Sequence, residues 1–399
     1  MINNEEIVTT DTNIYDSSYE FESWDELDIK PDLLRGIYAY GFERPSPIQK
    51  KAIIPIIQKK DIIAQAQSGT GKTATFTIGA LQLIDLTLQK PQILVLSPTR
   101  ELVSQTAKVM ESIGNMMSGL TINTFYGGLS FDELGSFTNK NDSQIICGCT
   151  GKINDMLRRN KITTKNIKLV ILDEADEMLS TGFKDQVYSI LQFLNNDIQI
   201  ALFSATLPEY IYPIISKIMR NPVKIEVKSD MLTLEGISQF YVAMEDDRQK
   251  YATLKHLFSF ISVSQCIIYC NSVKRVIDLY EAMKEDEFPV CCIHSNMEKS
   301  SRELAFNEFK MGKSRVLISS NVTARGIDIQ QVSTVINFDI PKCVHTYLHR
   351  IGRSGRWGRK GVGINFITRR DIGKLKQIEE HYSCEIREMP GDLAFLQKI

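Results

Sequence analysis

The chain has 399 residues, 47 basic against 48 acidic, with 43% hydrophobic and 24% charged residues. These figures exclude a disordered chain and favour two domains of roughly 100–200 residues each. No apolar run approaches the roughly 18–20 residues of a membrane-spanning helix, and the start MINNEEIVTTDT lacks a signal-peptide pattern, so a cytoplasmic or nuclear protein with no membrane partner is expected.

From residue 60 onward, short β-branched runs alternate with longer amphipathic stretches. In chain order the predicted strands are 61–66, 92–97, 121–126, 144–149, 168–173 and 199–204, then 237–244, 265–270, 289–294, 315–320, 334–339 and 361–368. Continuous apolar strands interleaved with helix-length segments predict α/β domains, each a mostly parallel sheet with helices on both faces. The polar stretch VKSDMLTLEG has neither period, which sets the expected boundaries: an acidic leader 1–20, domain 1 over 21–227, a linker 228–236 and domain 2 over 237–399. Eight cysteines without C-x-x-C spacing read mostly as buried, reduced thiols.

AQSGTGKT runs from Ala66 through Gln67, Ser68, Gly69, Thr70 and Gly71 to Lys72 and Thr73, directly after a predicted strand and before a predicted helix. Small residues there let backbone N–H groups close around phosphates, with the positive end of the helix behind them. Lys72 would neutralise the β/γ-phosphates of a nucleotide and Thr73 would hold Mg²⁺. A metal bound through one hydroxyl and phosphates needs an anionic partner on a neighbouring strand. LVILDEAD (169–176) supplies it: Asp173 for the metal and Glu174 to orient and deprotonate the attacking water.

Residues 173–176 spell DEAD, and with the phosphate loop the chain resembles the DEAD-box ATP-dependent RNA helicases, most nearly the translation initiation factor 4A group. The resemblance implies two tandem RecA-like domains and covers all but the acidic leader. GFERPSPIQ (41–49) resembles the family's adenine-reading segment, implying that Gln49 bonds adenine and that Phe42 packs beside it. Trp24 stands where an upstream aromatic, usually Phe, is expected to stack. Ser204 and Thr206 of the Ser-Ala-Thr element would couple hydrolysis to strand separation. YLHRIGRSGR (347–356) implies arginine fingers at Arg353 and Arg356, with His349 and Arg350 tying them to the DEAD and Ser-Ala-Thr elements. ARGID (324–328) implies Asp328 near the ribose.

For RNA the resemblance implies a sequence-independent, backbone-tracking groove through Pro98, Thr99, Arg100, Gly127, Gly128, Gly151, Lys152, Ser320 and Gly326. Three segments depart from the family: TPGR reads Cys149-Thr150-Gly151-Lys152, HGDM reads His294-Ser295-Asn296-Met297, and the TD of motif V reads Ser320-Asn321. The implied function is RNA-stimulated ATP hydrolysis coupled to local unwinding by a monomer with protein scaffold or regulatory partners. An ATP-gated RNA clamp with slow turnover is the alternative. The net charge of −1 does not count against RNA. Nine acids and no Lys or Arg fall within residues 1–29, and the rest carries 47 basic against 39 acidic residues.

Overall fold

Each apolar run read as a strand is one in the computed structural model, which describes residues 20–127, 143–180, 182–227, 237–260, 265–323, 332–354 and 361–391. The chain divides into two compact units between 228 and 229. The first holds α1 (Pro31–Ala39), α2 (Pro47–Ile57), β1 (Ile62–Gln65), α3 (Lys72–Leu83), β2 (Ile93–Leu96), α4 (Arg100–Ile113), β3 (Ile122–Phe125) and β4 (Ile145–Gly148). It continues with α5 (Thr150–Arg158), β5 (Leu169–Asp173), α6 (Ala175–Met178), α7 (Lys184–Leu191), β6 (Gln199–Ser204), α8 (Tyr212–Ile218) and β7 (Val223–Glu226). The second holds β8 (Ile237–Ala243), α9 (Gln249–Phe260), β9 (Cys266–Tyr269), α10 (Val273–Glu285), β10 (Val290–Ile293), α11 (Lys299–Lys310) and β11 (Val316–Ser319). After these come β12 (Thr334–Asn337), α12 (Val344–Ile351), β13 (Gly361–Ile367), α13 (Ile372–Tyr382) and β14 (Arg387–Glu388).

Both sheets are parallel and seven-stranded, in the orders β3-β4-β2-β5-β6-β1-β7 and β10-β11-β9-β12-β13-β8-β14. Shifted by seven, the two orders are identical, so the chain folds the same architecture twice. Alternate residues feed two cores. In β2, Ile93 and Val95 enter the layer under α1–α4, while Leu94 and Leu96 enter the layer under α5, α7 and α8. In β9, Ile267 and Tyr269 face one layer, Cys266 and Ile268 the other. A strand covered on both faces must be apolar throughout, which is why these runs stand out in the sequence.

Two strands were not expected from the sequence. β7 and β14 are edge strands, the first alternating buried residues with half-buried Lys224 and exposed Glu226 and the second only two exposed residues long, so neither carries a continuous apolar signal. All eight cysteines are free, four of them buried. Burial pushes the Cys270 thiol up to about 12, far from a reactive thiolate. Among the described residues no helix is long and apolar enough to cross a membrane. Most of the acidic leader and the stretch 228–236 lie outside the described residues, as do Gly128, Gly326, Asp328 and Arg356.

Candidate functional site: a phosphate loop, an acidic turn and a basic helix end

In the first unit, chemistry-bearing segments sit at the carboxyl ends of parallel strands, where α/β sheets bind ligands. The phosphate loop leaves β1 and is tied to β6 by the Ala66 N–H, which donates to Ser204 O at 3.1 Å. Gly69 and Gly71 take φ of 83° and 101°, a left-handed backbone that closes the loop before α3 begins at Lys72. A Cβ on Gly71 would lie 2.9 Å from Gln49 Nε2, so the bare glycine also lets the loop meet the segment read as adenine-binding. Lys72 Nζ donates to the Ala66 and Gln67 carbonyls at 2.6 and 2.9 Å, which lays the amine across the loop. Thr70 Oγ1 pins the same Gln67 carbonyl at 2.7 Å.

Gln49 is buried and accepts from Ser46 N at 2.6 Å, closing the first turn of α2 behind Pro47. Phe42 is half-buried against Tyr40, with ring centroids 4.9 Å apart. Trp24 corrects the sequence reading. Its ring is wholly buried in the core beside Phe21, 5.7 Å between centroids, and offers no open face for a base to stack upon. The larger aromatic has become a core side chain that backs α1 and α2.

The acidic turn follows β5. Asp173 is buried at the strand's end and accepts from Glu174 N at 3.1 Å. Burial and then the Glu174 carboxylate push the Asp173 carboxyl well above the usual carboxylate range, with Lys72 pulling the other way. Glu174 holds φ 52°, ψ 54°, a left-handed conformation uncommon outside glycine, and is 4% exposed. Its Oε2 accepts no hydrogen bond among the described residues. A buried carboxylate oxygen without a donor costs free energy, and strain and desolvation together at one residue mark a group kept for a ligand or water.

Asp176, absent from the sequence reading of the site, is its hub. Ser204 Oγ donates to Asp176 Oδ1 at 2.9 Å and Thr206 Oγ1 donates to Asp176 Oδ2 at 2.8 Å. The Ser-Ala-Thr element at the end of β6 is therefore latched to the acidic turn after β5, its strand neighbour.

The segments read as RNA-binding occupy the other half of the same sheet edge. Pro98-Thr99-Arg100 follows β2, Gly127 follows β3, and Gly151-Lys152 follows β4, three strands adjacent in the sheet. Thr99 Oγ1 caps α4 by accepting from Leu102 N at 3.3 Å. Arg100 Nη2 lies 3.5 Å from where a Cβ on Gly127 would sit, so two of the segments meet. Gly151 is exposed, and Lys152 stands 3.8 Å from Asp155 on α5.

In the second unit Ser320 follows β11, while His349 and Arg350 lie on α12 and Arg353 just beyond it; all three are buried. Arg353 Nε donates to His349 O at 3.1 Å. Arg350, expected to reach the DEAD and Ser-Ala-Thr elements, is spent inside its own unit. Its Nε and Nη2 donate to Asn321 Oδ1 at 3.0 and 2.7 Å, Nη1 donates to Asn337 Oδ1 at 3.1 Å and Asp339 O at 2.7 Å, and Nη2 also donates to Asn271 Oδ1 at 2.8 Å. The guanidinium lies over the Tyr269 ring at 5.2 Å, and burial lowers its pKa to about 10. Arg350 thus bolts α12 to the ends of β9, β11 and β12. Truncation to Met would strand two carbonyls of buried residues, Asn337 Oδ1 and Asp339 O. We expect Arg350→Met to destabilise the second unit by on the order of 2–5 kcal/mol, read as an early unfolding transition in denaturant while the first unit's transition stays in place.

Family comparison agrees with this geometry. Residues 46–213 match the DEAD/DEAH box helicase family and residues 249–358 the helicase conserved C-terminal domain. The ATP-dependent RNA helicase eIF4A of Aspergillus clavatus is 49% identical over 375 residues, 94% of this chain and 94% of the relative. Eukaryotic initiation factor 4A of Caenorhabditis elegans is 48% identical over the same length, 94% of this chain and 93% of the relative. Among solved structures, Saccharomyces cerevisiae Dbp5 bound to RNA and ADP BeF3 superposes with a TM-score of 0.86 at 34% identity, covering 93% of this chain and 96% of Dbp5. With two RecA-like units, a phosphate loop and an acidic turn at the carboxyl ends of parallel strands, the chain belongs to the DEAD-box ATP-dependent RNA helicases and is eIF4A-like over nearly its whole length.

Proposed function

We propose that Glu174 is the general base of ATP hydrolysis, that Asp173 and Thr73 hold Mg²⁺, and that Arg353 supplies positive charge to the transferring phosphoryl group. The observation that carries this reading is the buried Glu174 Oε2 beside Asp173, which accepts no hydrogen bond among the described residues. The donor set fits a magnesium ion: a hard carboxylate oxygen and a hydroxyl, with Lys72 at hand for the phosphates. When bound, the ion would neutralise phosphate charge. Glu174 takes the proton of the attacking water at Oε2. Lys72 exchanges the loop carbonyls for phosphate oxygens, and Gln49 and Phe42 take the base. Nucleotide use is supported by the ADP BeF3 bound to Dbp5.

Asp176 is read as the transmission point, because it bridges the acidic turn and the Ser-Ala-Thr element. Replacing Ser204 and Thr206 by Ala together is expected to keep RNA-stimulated phosphate release within a few-fold while strand displacement of a short duplex falls by about tenfold or more. Parallel loss of both activities would show that the latch serves chemistry and not coupling.

RNA is read as lying along the ends of β2, β4 and β3, held by Arg100, Lys152 and bare glycine backbone, with Ser320 in the second unit. Phosphate contacts of this kind make affinity fall with salt. Lys152→Ala is expected to weaken binding evenly across RNA sequences and to reduce the slope of log Kd against log salt by about 1. An unchanged slope would remove Lys152 from the groove. The eIF4A likeness, together with a second Dbp5 structure bound to Gle1, supports a protein partner that regulates the cycle.

A further inference from the structure

The second unit has a cavity of about 600 Å³ at the carboxyl ends of β8, β9, β12 and β13. Sheet position identifies what stands there: β8 occupies the place that β1 occupies in the first sheet, so the turn Met244–Lys250 is the counterpart of the phosphate loop. That turn carries its own anions. Asp246 pairs with Arg248 at 2.7 Å, and Asp247 pairs with Lys250 and Arg275 at 3.0 and 2.9 Å. Asp339 is held by Lys250 at 3.2 Å and Arg275 at 2.9 Å, and Asp371 by Lys374 at 3.1 Å.

Two cations lining the cavity are left over. Arg369 and Arg370, consecutive and exposed just past β13, have no ion pair or hydrogen-bond partner for their guanidiniums among the described residues; of the lining acids only Glu245 is likewise unpaired. Adjacent planar forks suit neighbouring phosphate groups. The volume is in the range of small-molecule sites.

The wall of the cavity is also the seat of Arg350. Asp339 Oδ2 accepts from Asn271 N at 3.0 Å, and Asn271 Nδ2 donates to Ile340 O at 2.8 Å. Asn271 Oδ1 and Asp339 O are two of the acceptors that hold Arg350, three residues before Arg353.

We propose that this cavity binds a small oligophosphate, a molecule with two or more adjacent phosphate groups, and that its occupancy is passed to α12 through Asp339, Asn271 and Arg350. Arg369 and Arg370 clasp the ligand at the mouth. A phosphate reaching Lys250 competes with the Asp339 carboxylate for that amine, which loosens the Asp339–Asn271 seat and lowers RNA-stimulated hydrolysis. The binding half stands on the cavity alone, whereas the relay rests on the reading of Arg353 given above.

The test uses the full chain with ADP and excess Mg²⁺, so that the first unit's phosphate loop is filled, and inorganic tripolyphosphate as probe. Titration calorimetry is expected to show one site that Arg369→Ala/Arg370→Ala weakens by at least about tenfold, with an unchanged melting temperature and unchanged RNA affinity. No binding to the wild type, or equal binding to the double variant, overturns the site. A loss of RNA affinity in the double variant would assign the arginines to RNA and overturn it too. For the relay, tripolyphosphate should slow RNA-stimulated turnover of the wild type at saturating ATP and Mg²⁺ and leave the double variant unaffected. Equal slowing of both, or of neither, removes the relay. If Arg353→Ala keeps full stimulation while the calorimetry stands, the catalytic reading fails and the binding site survives.

Discussion

Glu174→Gln is expected to cut RNA-stimulated phosphate release by about 10²–10⁴-fold, the contribution of a general base, while ATP and RNA affinities stay within a few-fold. The substitution keeps the size of the side chain and removes only its ability to take a proton. Because Oε2 accepts no hydrogen bond among the described residues, no protein donor there loses its acceptor. Asp173 should gain. The Glu174 carboxylate is the second cause, after burial, of its raised pKa. Removing that charge favours the ionised Asp173 that a metal ion needs, so nucleotide binding should be retained or tightened. Single-turnover hydrolysis and fluorescent-nucleotide titration separate the two steps. Undiminished hydrolysis would remove Glu174 from the role of base. Loss of nucleotide binding would instead make it part of the metal shell.

Arg353→Ala should abolish the stimulation of hydrolysis by RNA, about 10³–10⁵-fold where an arginine acts on the transferring phosphoryl group. Its Nε bonds the His349 carbonyl within the same short segment, a bond worth about 1 kcal/mol, and an unchanged denaturant transition of the second unit separates loss of the charge from loss of the fold. Nucleotide affinity should also survive, because the phosphate loop belongs to the first unit. Arg353→Lys is expected to recover little, since a point charge on a flexible stem does not reproduce the planar fork. If stimulation persists in the alanine variant, the charge at the phosphoryl group comes from elsewhere.

Strands were legible because both faces of each sheet are covered. Runs such as 92–97 and 315–320 match β2 and β11 to within a residue at each end. β7 and β14 escaped because an edge strand has one dry face or none. The phosphate loop and the acidic turn were readable from local spacing, which also fixes their geometry: two left-handed glycines before α3 and a strained residue before α6.

Residues whose partners are distant in sequence were misread or missed. Trp24 looked like a base-stacking aromatic; Phe21 lies three residues away, but the rest of the core that encloses the ring comes from far along the first unit. Arg350 sits in a basic motif beside Arg353, yet its five hydrogen bonds run to Asn271, Asn321, Asn337 and Asp339, up to 79 positions away. Asp176 shares its tetrapeptide with Asp173 and Glu174 but bonds Ser204 and Thr206, 28 and 30 residues on. The TD-to-Ser320-Asn321 change gains a physical reading here: Asn321 Oδ1 takes two of the Arg350 bonds as a neutral acceptor.

The central claim is that one set of residues links ATP cleavage to RNA. Phosphate release measured side by side with a short RNA duplex and with a DNA duplex of matched sequence, while following strand displacement in the same reactions, tests it most directly. The account predicts stimulation and displacement with RNA, little of either with DNA, and loss of both in Glu174→Gln. Equal stimulation by DNA, or hydrolysis indifferent to RNA, would contradict it.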